Sequence, residues 1–118
     1  MLIEVKKRYL NIIKRMVYYS EQAENDLYNI LIGLANWEKH PLGIQHALNY
    51  YDDIRQKCDK LDQTIHHPLT RYLIHKIHGT YVYKYSRSRN TTWYIIYDYD
   101  KENNIVFIQH ITSNHVTK

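Results

Sequence analysis

The chain has 118 residues, 44% of them apolar and 24% charged, with a mean hydropathy of −0.62; this balance predicts one soluble, folded domain and is too short for two good cores. A single cysteine, Cys58, excludes an internal disulfide and suits a reducing compartment such as the cytoplasm, while no run approaches the roughly eighteen apolar residues of a membrane span. The formal charge of +4 is unevenly spread, with five cations and no anion between positions 63 and 90 (Arg71, Lys76, Lys84, Arg87 and Arg89). Such a block focuses positive potential as a phosphate-rich ligand requires, and a solvated basic face is the alternative reading.

Residues 1–15 read as an N-terminal extension, an added basic amphipathic element with Ile3, Val5, Tyr9, Leu10, Ile12 and Ile13 among five cations. No unbroken apolar stretch with a small-residue cleavage site follows, so no signal peptide is expected. Residues 16–118 then read as a single domain. Met16 to Tyr19 is β-like, and Ser20 with Glu21, Ala23 and Glu24 marks a helix start, a hydroxyl cap followed by acidic side chains in the first turn. Ala23, Leu27, Ile30, Leu31 and Leu34 form one apolar stripe, and Pro41 and Gly43 end the helix near His40. A second helix is predicted from about Leu42 to Ile65, burying Ala47, Leu48, Tyr51, Ile54, Cys58, Leu61 and Ile65, with Cys58 as a small buried hydrophobe.

After His66-His67-Pro68 the period changes to that of strands. Tyr81 to Ser86, Thr92 to Tyr99 and Ile105 to Ile111 are joined by the short polar connectors Ser88-Arg89-Asn90 and Asp100 to Asn104, which favour consecutive antiparallel hairpins. The predicted fold class is therefore α+β, with an N-terminal strand and a two-helix hairpin packed on an antiparallel β-meander. The helices cover one sheet face and leave the other, with its loops, for a ligand. Thirteen tyrosines against one phenylalanine serve either as sheet packing with the hydroxyl at the rim or as stacking platforms for bases.

The sequence has no Cys-x-x-Cys, no His-Glu-x-x-His, no glycine-rich phosphate loop and no Asp-rich metal loop. Eight histidines raise a metal reading, but nearby lysines and arginines would repel a cation, and neither metal nor cofactor is expected. The inventory better suits metal-free phosphoryl transfer on RNA, which needs a base for the 2′-hydroxyl, an acid for the leaving oxygen and cations at the phosphate. Histidine fills either proton role near neutrality and arginine offers phosphate a fixed fork of donors. The candidate catalytic residues are His75, His78, Arg87 and His110; Lys76, Lys84, Tyr85 and Arg89 are candidate RNA contacts. They could share one sheet edge if the strands are neighbours, though a one-residue slip would reverse the side-chain facing.

The segment Tyr18-Tyr19-Ser20-Glu21-Gln22-Ala23-Glu24-Asn25-Asp26-Leu27 resembles the opening strand and first helix of the RelE/ParE superfamily of bacterial toxins, the plasmid stabilisation family. Leu73 to Tyr85 is similar to that family's lead-in to its central strands, Trp93 to Asp100 to its arginine-hydrophobic-Ile-Tyr strand, and Ile105 to Ile111 to its last strand, so that the likeness covers about residues 16 to 112. The resemblance implies a cytoplasmic toxin of a toxin–antitoxin pair, held inactive by a cognate antitoxin whose disordered tail wraps it. The RelE-like branch cleaves messenger RNA on the ribosome without metal, and the ParE-like branch acts on DNA gyrase.

By the same resemblance Arg87 falls near the family's arginine after the first meander strand, with His110 near the variable catalytic position of the last. His75 and His78 stand where nuclease members place basic or histidine side chains. The sequence departs from the pattern at Thr112-Ser113-Asn114-His115, which lacks the late arginine and terminal tyrosine, and in its extra first fifteen residues. The leading expectation is a ribosome-dependent endoribonuclease in which Arg87 contacts the phosphate, His78 or His75 is the base, His110 is the acid and Tyr85 stacks on a base. The alternatives are a gyrase inhibitor of the same fold and a non-catalytic RNA- or protein-binding domain.

Overall fold

Ser20 ends the first strand and starts the first helix with the same few atoms. Its backbone N–H donates to Ile108 O at 2.8 Å, its hydroxyl donates to Gln109 O at 2.9 Å, and that hydroxyl accepts the N–H of Ala23 at 3.0 Å. The N-terminus of the helix is thus capped and fastened to the sheet together. The computed structural model describes residues 16–35, 43–64 and 66–115. Expectations placed on residues 1–15, on the helix end near His40 and Pro41, and on Leu42 and Ile65 lie outside the described residues.

Strand β1 (Val17–Tyr19) leads into helix α1 (Glu21–Ala35), which is followed by α2 (Gly43–Asp59), a 3₁₀ turn (Leu61–Gln63), a four-residue helix α3 (Leu73–Lys76) and strands β2 (Tyr81–Ser86), β3 (Thr92–Asp100) and β4 (Ile105–Ser113). The protein is α+β, with one four-stranded mixed sheet in the order β1-β4-β3-β2. The meander β2-β3-β4 is antiparallel, and β1 joins its β4 edge in parallel, with Val17, Tyr18 and Tyr19 opposite Val106, Phe107 and Ile108. The second helix ends six residues before Ile65. The tighter 3₁₀ winding that follows still carries Leu61 into the core, fully buried. Leu48, expected on the buried face, is 40% exposed.

One sheet face packs on the two long helices. Ala23 and Leu27 of α1 and Ile54 and Cys58 of α2 meet Ile95, Tyr97, Val106, Ile108 and Ile111, and Tyr81, Tyr83 and Tyr85 flank them on that same inner face. The alternation of the strand tyrosines is therefore packing. The outer face carries two rows set by the strand register: Val82, Ile96 and His110 in one, Lys84, Tyr94 and Thr112 in the next.

Residues 68–79 turn back over this outer face. Val82 N donates to Pro68 O at 2.9 Å and Thr70 N to Thr80 O at 2.9 Å, so residues 68–70 run beside β2. The hydroxyl of Thr70 and the carboxylate of Asp98 then hold residues 79 and 80. Gly79 presses closely on the sheet, where an added Cβ would lie 3.0 Å from Ile96 Cγ2 and 3.2 Å from Tyr97 O. Ile96 is fully buried and Tyr97 is fixed in the ladder, so neither yields easily. Gly79→Ala is expected to lower stability by about 1–3 kcal/mol, seen as a lower urea midpoint at unchanged slope.

Candidate functional site

β4 contains one residue too many for a regular ladder. Ile96 pairs with His110 and Tyr97 with Ile108, leaving Gln109 as a bulge. In an uninterrupted strand Ile108 and His110 would share a face. The bulge breaks that parity: Ile108 and Ile111 both enter the core, and His110 turns outward.

The outward-facing His110 is met from two sides. Asp26 of α1 accepts a hydrogen bond from His110 Nδ1 at 2.6 Å and, on the same oxygen, from Ile111 N at 2.9 Å. The second oxygen of Asp26 takes the Gln22 side-chain amide at 2.8 Å. β1 is only three residues long, so the Asp26 carboxylate supplies the acceptor that a longer strand would have offered to β4. Burial would raise the Asp26 pKa, but the hydrogen bonds from His110, Ile111 and Gln22 outweigh it and hold the carboxyl below its ordinary 3.8. With Nδ1 occupied, the imidazole exchanges protons through Nε2.

On the other side the ring of His78 lies on that of His110, centroids 4.0 Å apart. Burial first, and then the proximity of His110, lower the His78 pKa below 6.5, so His78 is an uncharged proton acceptor near neutrality. His75 is 1% exposed and rests between the rings of Tyr94, at 4.7 Å, and Tyr72, at 5.4 Å. Burial is again the main cause that lowers its pKa, helped by His110, His78 and Lys84.

Of the sequence candidates, the structure brings together His75, His78 and His110. Lys84 joins them on the outer face, and Lys76, on α3, is exposed. Arg87 is placed elsewhere: it forms an ion pair with Asp53 of α2, and its guanidinium lies 4.3 Å from the centre of the Tyr50 ring. Trp93 Nε1 donates to the hydroxyl of that same tyrosine at 2.9 Å. Arg87 thus braces the β2 end against α2 on the helix side of the sheet. Tyr85 is on the inner face, under Lys57 at 5.3 Å, and Arg89 is exposed in the β2–β3 turn.

The residue that sequence reasoning missed as part of the site is Asp26. It falls three residues after Ala23 and four before Ile30, so a carboxylate occupies a position on the apolar stripe. A carboxylate so placed requires a partner, and that was the available signal. A concavity of about 270 Å³ at the open β4 edge is lined by Asp26, Asn29, Trp93, His110, Thr112 and Ser113, among others. Asp26 and His110 thus border this concavity together. Among the described residues, no group of three or more His, Cys, Asp or Glu side chains is arranged to hold a metal ion. Nor is any described helix long and apolar enough to cross a membrane.

The lowered histidines give a signed pH prediction. His67, His75 and His78 all have folded-state pKa values below 6.5, so the unfolded chain binds more protons as the pH falls through and below that value. Their contribution is complete above about pH 6.5 and is lost on acidification. Urea midpoints are expected to fall from pH 7 to pH 5, with a shallower dependence in His78→Gln. A flat profile would contradict the burial of these rings.

The chain matches no protein-family model, no curated protein and no solved structure.

Proposed function

We propose that this protein is a RelE/ParE-like toxin of a toxin–antitoxin pair, acting as a metal-independent, ribosome-dependent endoribonuclease on messenger RNA. The observation that carries this reading is the pair of His110 and His78 on the sheet face away from the long helices, with Asp26 reaching His110 from α1. An uncharged imidazole beside a second imidazole oriented by a carboxylate offers a base and an acid for 2′-hydroxyl attack. The α+β class and the antiparallel meander agree with the arrangement expected from the sequence, which supports the reading at that coarse level.

In the proposed reaction His78 takes the 2′-hydroxyl proton, the 2′-oxygen forms a bond to phosphorus, and the bond from phosphorus to the 5′-oxygen breaks. His110 delivers a proton to that oxygen, leaving a 2′,3′-cyclic phosphate and a 5′-hydroxyl. Asp26 positions His110. Lys84 supplies positive charge on the outer face, while Arg87, engaged with Asp53, is a structural cation in this reading.

Mapping messenger RNA ends after brief induction of the chain in bacterial cells tests the proposal. New ends inside translated codons that disappear in a His78→Ala/His110→Ala variant are the expected result. Growth arrest with intact messages and altered DNA supercoiling would transfer the function to the gyrase-directed branch. A cognate antitoxin able to suppress the arrest is the expected partner.

A further inference from the structure

A second concavity lies beside the histidine cluster. The cleft between the 66–75 segment and β2 encloses about 470 Å³, within the range of about 300–1,000 Å³ typical of small-molecule sites. Its apolar wall includes Pro68, Leu69 and Val82, and its rim carries the cations Arg71 and Lys84. Among the described residues neither cation has an ion-pair partner. His75 lines the same cleft, and its Nε2 is buried with no hydrogen-bond partner among the described residues.

These features impose separate demands on an occupant. A buried ring nitrogen without a partner is a standing penalty, relieved by a ligand that brings a donor or acceptor to the depth of the cleft. The apolar wall and the exposed Tyr72 ring favour a flat, aromatic body. The arginine and lysine at the rim, unpaired among the described residues, call for an anion there. An acyl chain meets the second demand and not the first, and inorganic phosphate meets only the last. A heteroaromatic ring joined to a phosphate meets all three.

We propose that this cleft binds one nucleotide unit, its base against the apolar wall within reach of His75 Nε2 and its phosphate between Arg71 and Lys84. The inference rests on the nuclease reading only for the source of the nucleotide, a residue of the RNA strand adjoining the scissile bond. It makes His75 a ligand contact rather than an acid or base.

The test is calorimetric titration of the full chain with adenosine, uridine and guanosine 5′-monophosphates, the corresponding nucleosides, inorganic phosphate and decanoate, with the His75 ring followed by nuclear magnetic resonance. At least one nucleotide is expected to bind more tightly than its nucleoside, phosphate or decanoate and to shift the His75 ring signals. Arg71→Ala/Lys84→Ala, which alters exposed side chains and leaves the core intact, is expected to weaken binding by about tenfold or more. Lys101→Ala, at an exposed position in the β3–β4 turn, is expected to leave binding unchanged. Nucleotide binding by a chain that cleaves no message would sink the nuclease reading and keep the cleft. Cleavage unaffected by Arg71→Ala/Lys84→Ala, with no nucleotide titrating the His75 signals, would overturn the cleft and keep the nuclease. Tighter binding of decanoate than of any nucleotide would also overturn it.

Discussion

Message cleavage is expected to fall by about 10²–10⁴-fold in His110→Asn, the usual contribution of one positioned acid or base, and by a smaller factor in Asp26→Asn. The second variant separates structure from function. An asparagine oxygen at position 26 still accepts the Ile111 N–H, so the β4 edge keeps its partner. The carboxylate charge that fixes the His110 ring through Nδ1 is lost. Asp26→Asn is therefore expected to unfold at nearly the wild-type urea concentration, with altered ring-nitrogen shifts for His110 and a changed pH profile of cleavage. Asp26→Ala removes both functions and leaves Ile111 N–H without its acceptor, adding about 1–3 kcal/mol of destabilisation. If Asp26→Asn cleaved like the wild type with unchanged His110 shifts, the carboxylate would have no role in orienting the ring.

The largest loss of stability is expected one residue further along the same helix. Leu27 is fully buried among Ile54, Cys58 and the sheet residues, and Leu27→Ala is expected to cost about 2–5 kcal/mol, the transfer term plus the cavity left behind. That is a large share of the roughly 5–15 kcal/mol that holds most domains folded. Cys58 reports on it directly, because burial pushes its thiol up to about 12 and removes it from reagent. Thiol labelling at neutral pH is expected to be slow in the wild type and much faster in Leu27→Ala. Equal labelling rates would mean that Leu27 is not part of the cooperative core.

The elements themselves were legible because they are written in local chemistry. Ser20 followed by Glu21 and Glu24 marks a helix start whatever packs on it, and the runs after Thr80 alternate or fill as strands do. The site was legible only in part. His75, His78 and His110 were visible as residue types, yet their convergence depends on the Gln109 bulge, which no period in Ile105 to Ser113 announces. Arg87 had the right charge in the right neighbourhood. Its partner Asp53 lies on another element, and a long-range pairing of that kind leaves no mark in spacing. The tyrosines divide by parity: Tyr81, Tyr83 and Tyr85 go inward, while Tyr94 sits under His75.

The position of β4 also sets the order in which the molecule can be completed. It is the last strand in the described chain and lies between β1 and β3, so His110, the pairing partners of β1 and the carbonyls that hold Ser20 are all supplied by residues 105–111. A nascent chain lacking that stretch has the β2–β3 hairpin and both long helices, but no path joining β1 to the sheet. The pairing of Val17 with Val106 closes a loop spanning most of the domain, a late and slow step by the usual dependence of folding rate on contact separation. During synthesis the dyad of Asp26 and His110 therefore cannot form before β4 has emerged. The site is therefore incomplete until residues 105–111 have been made.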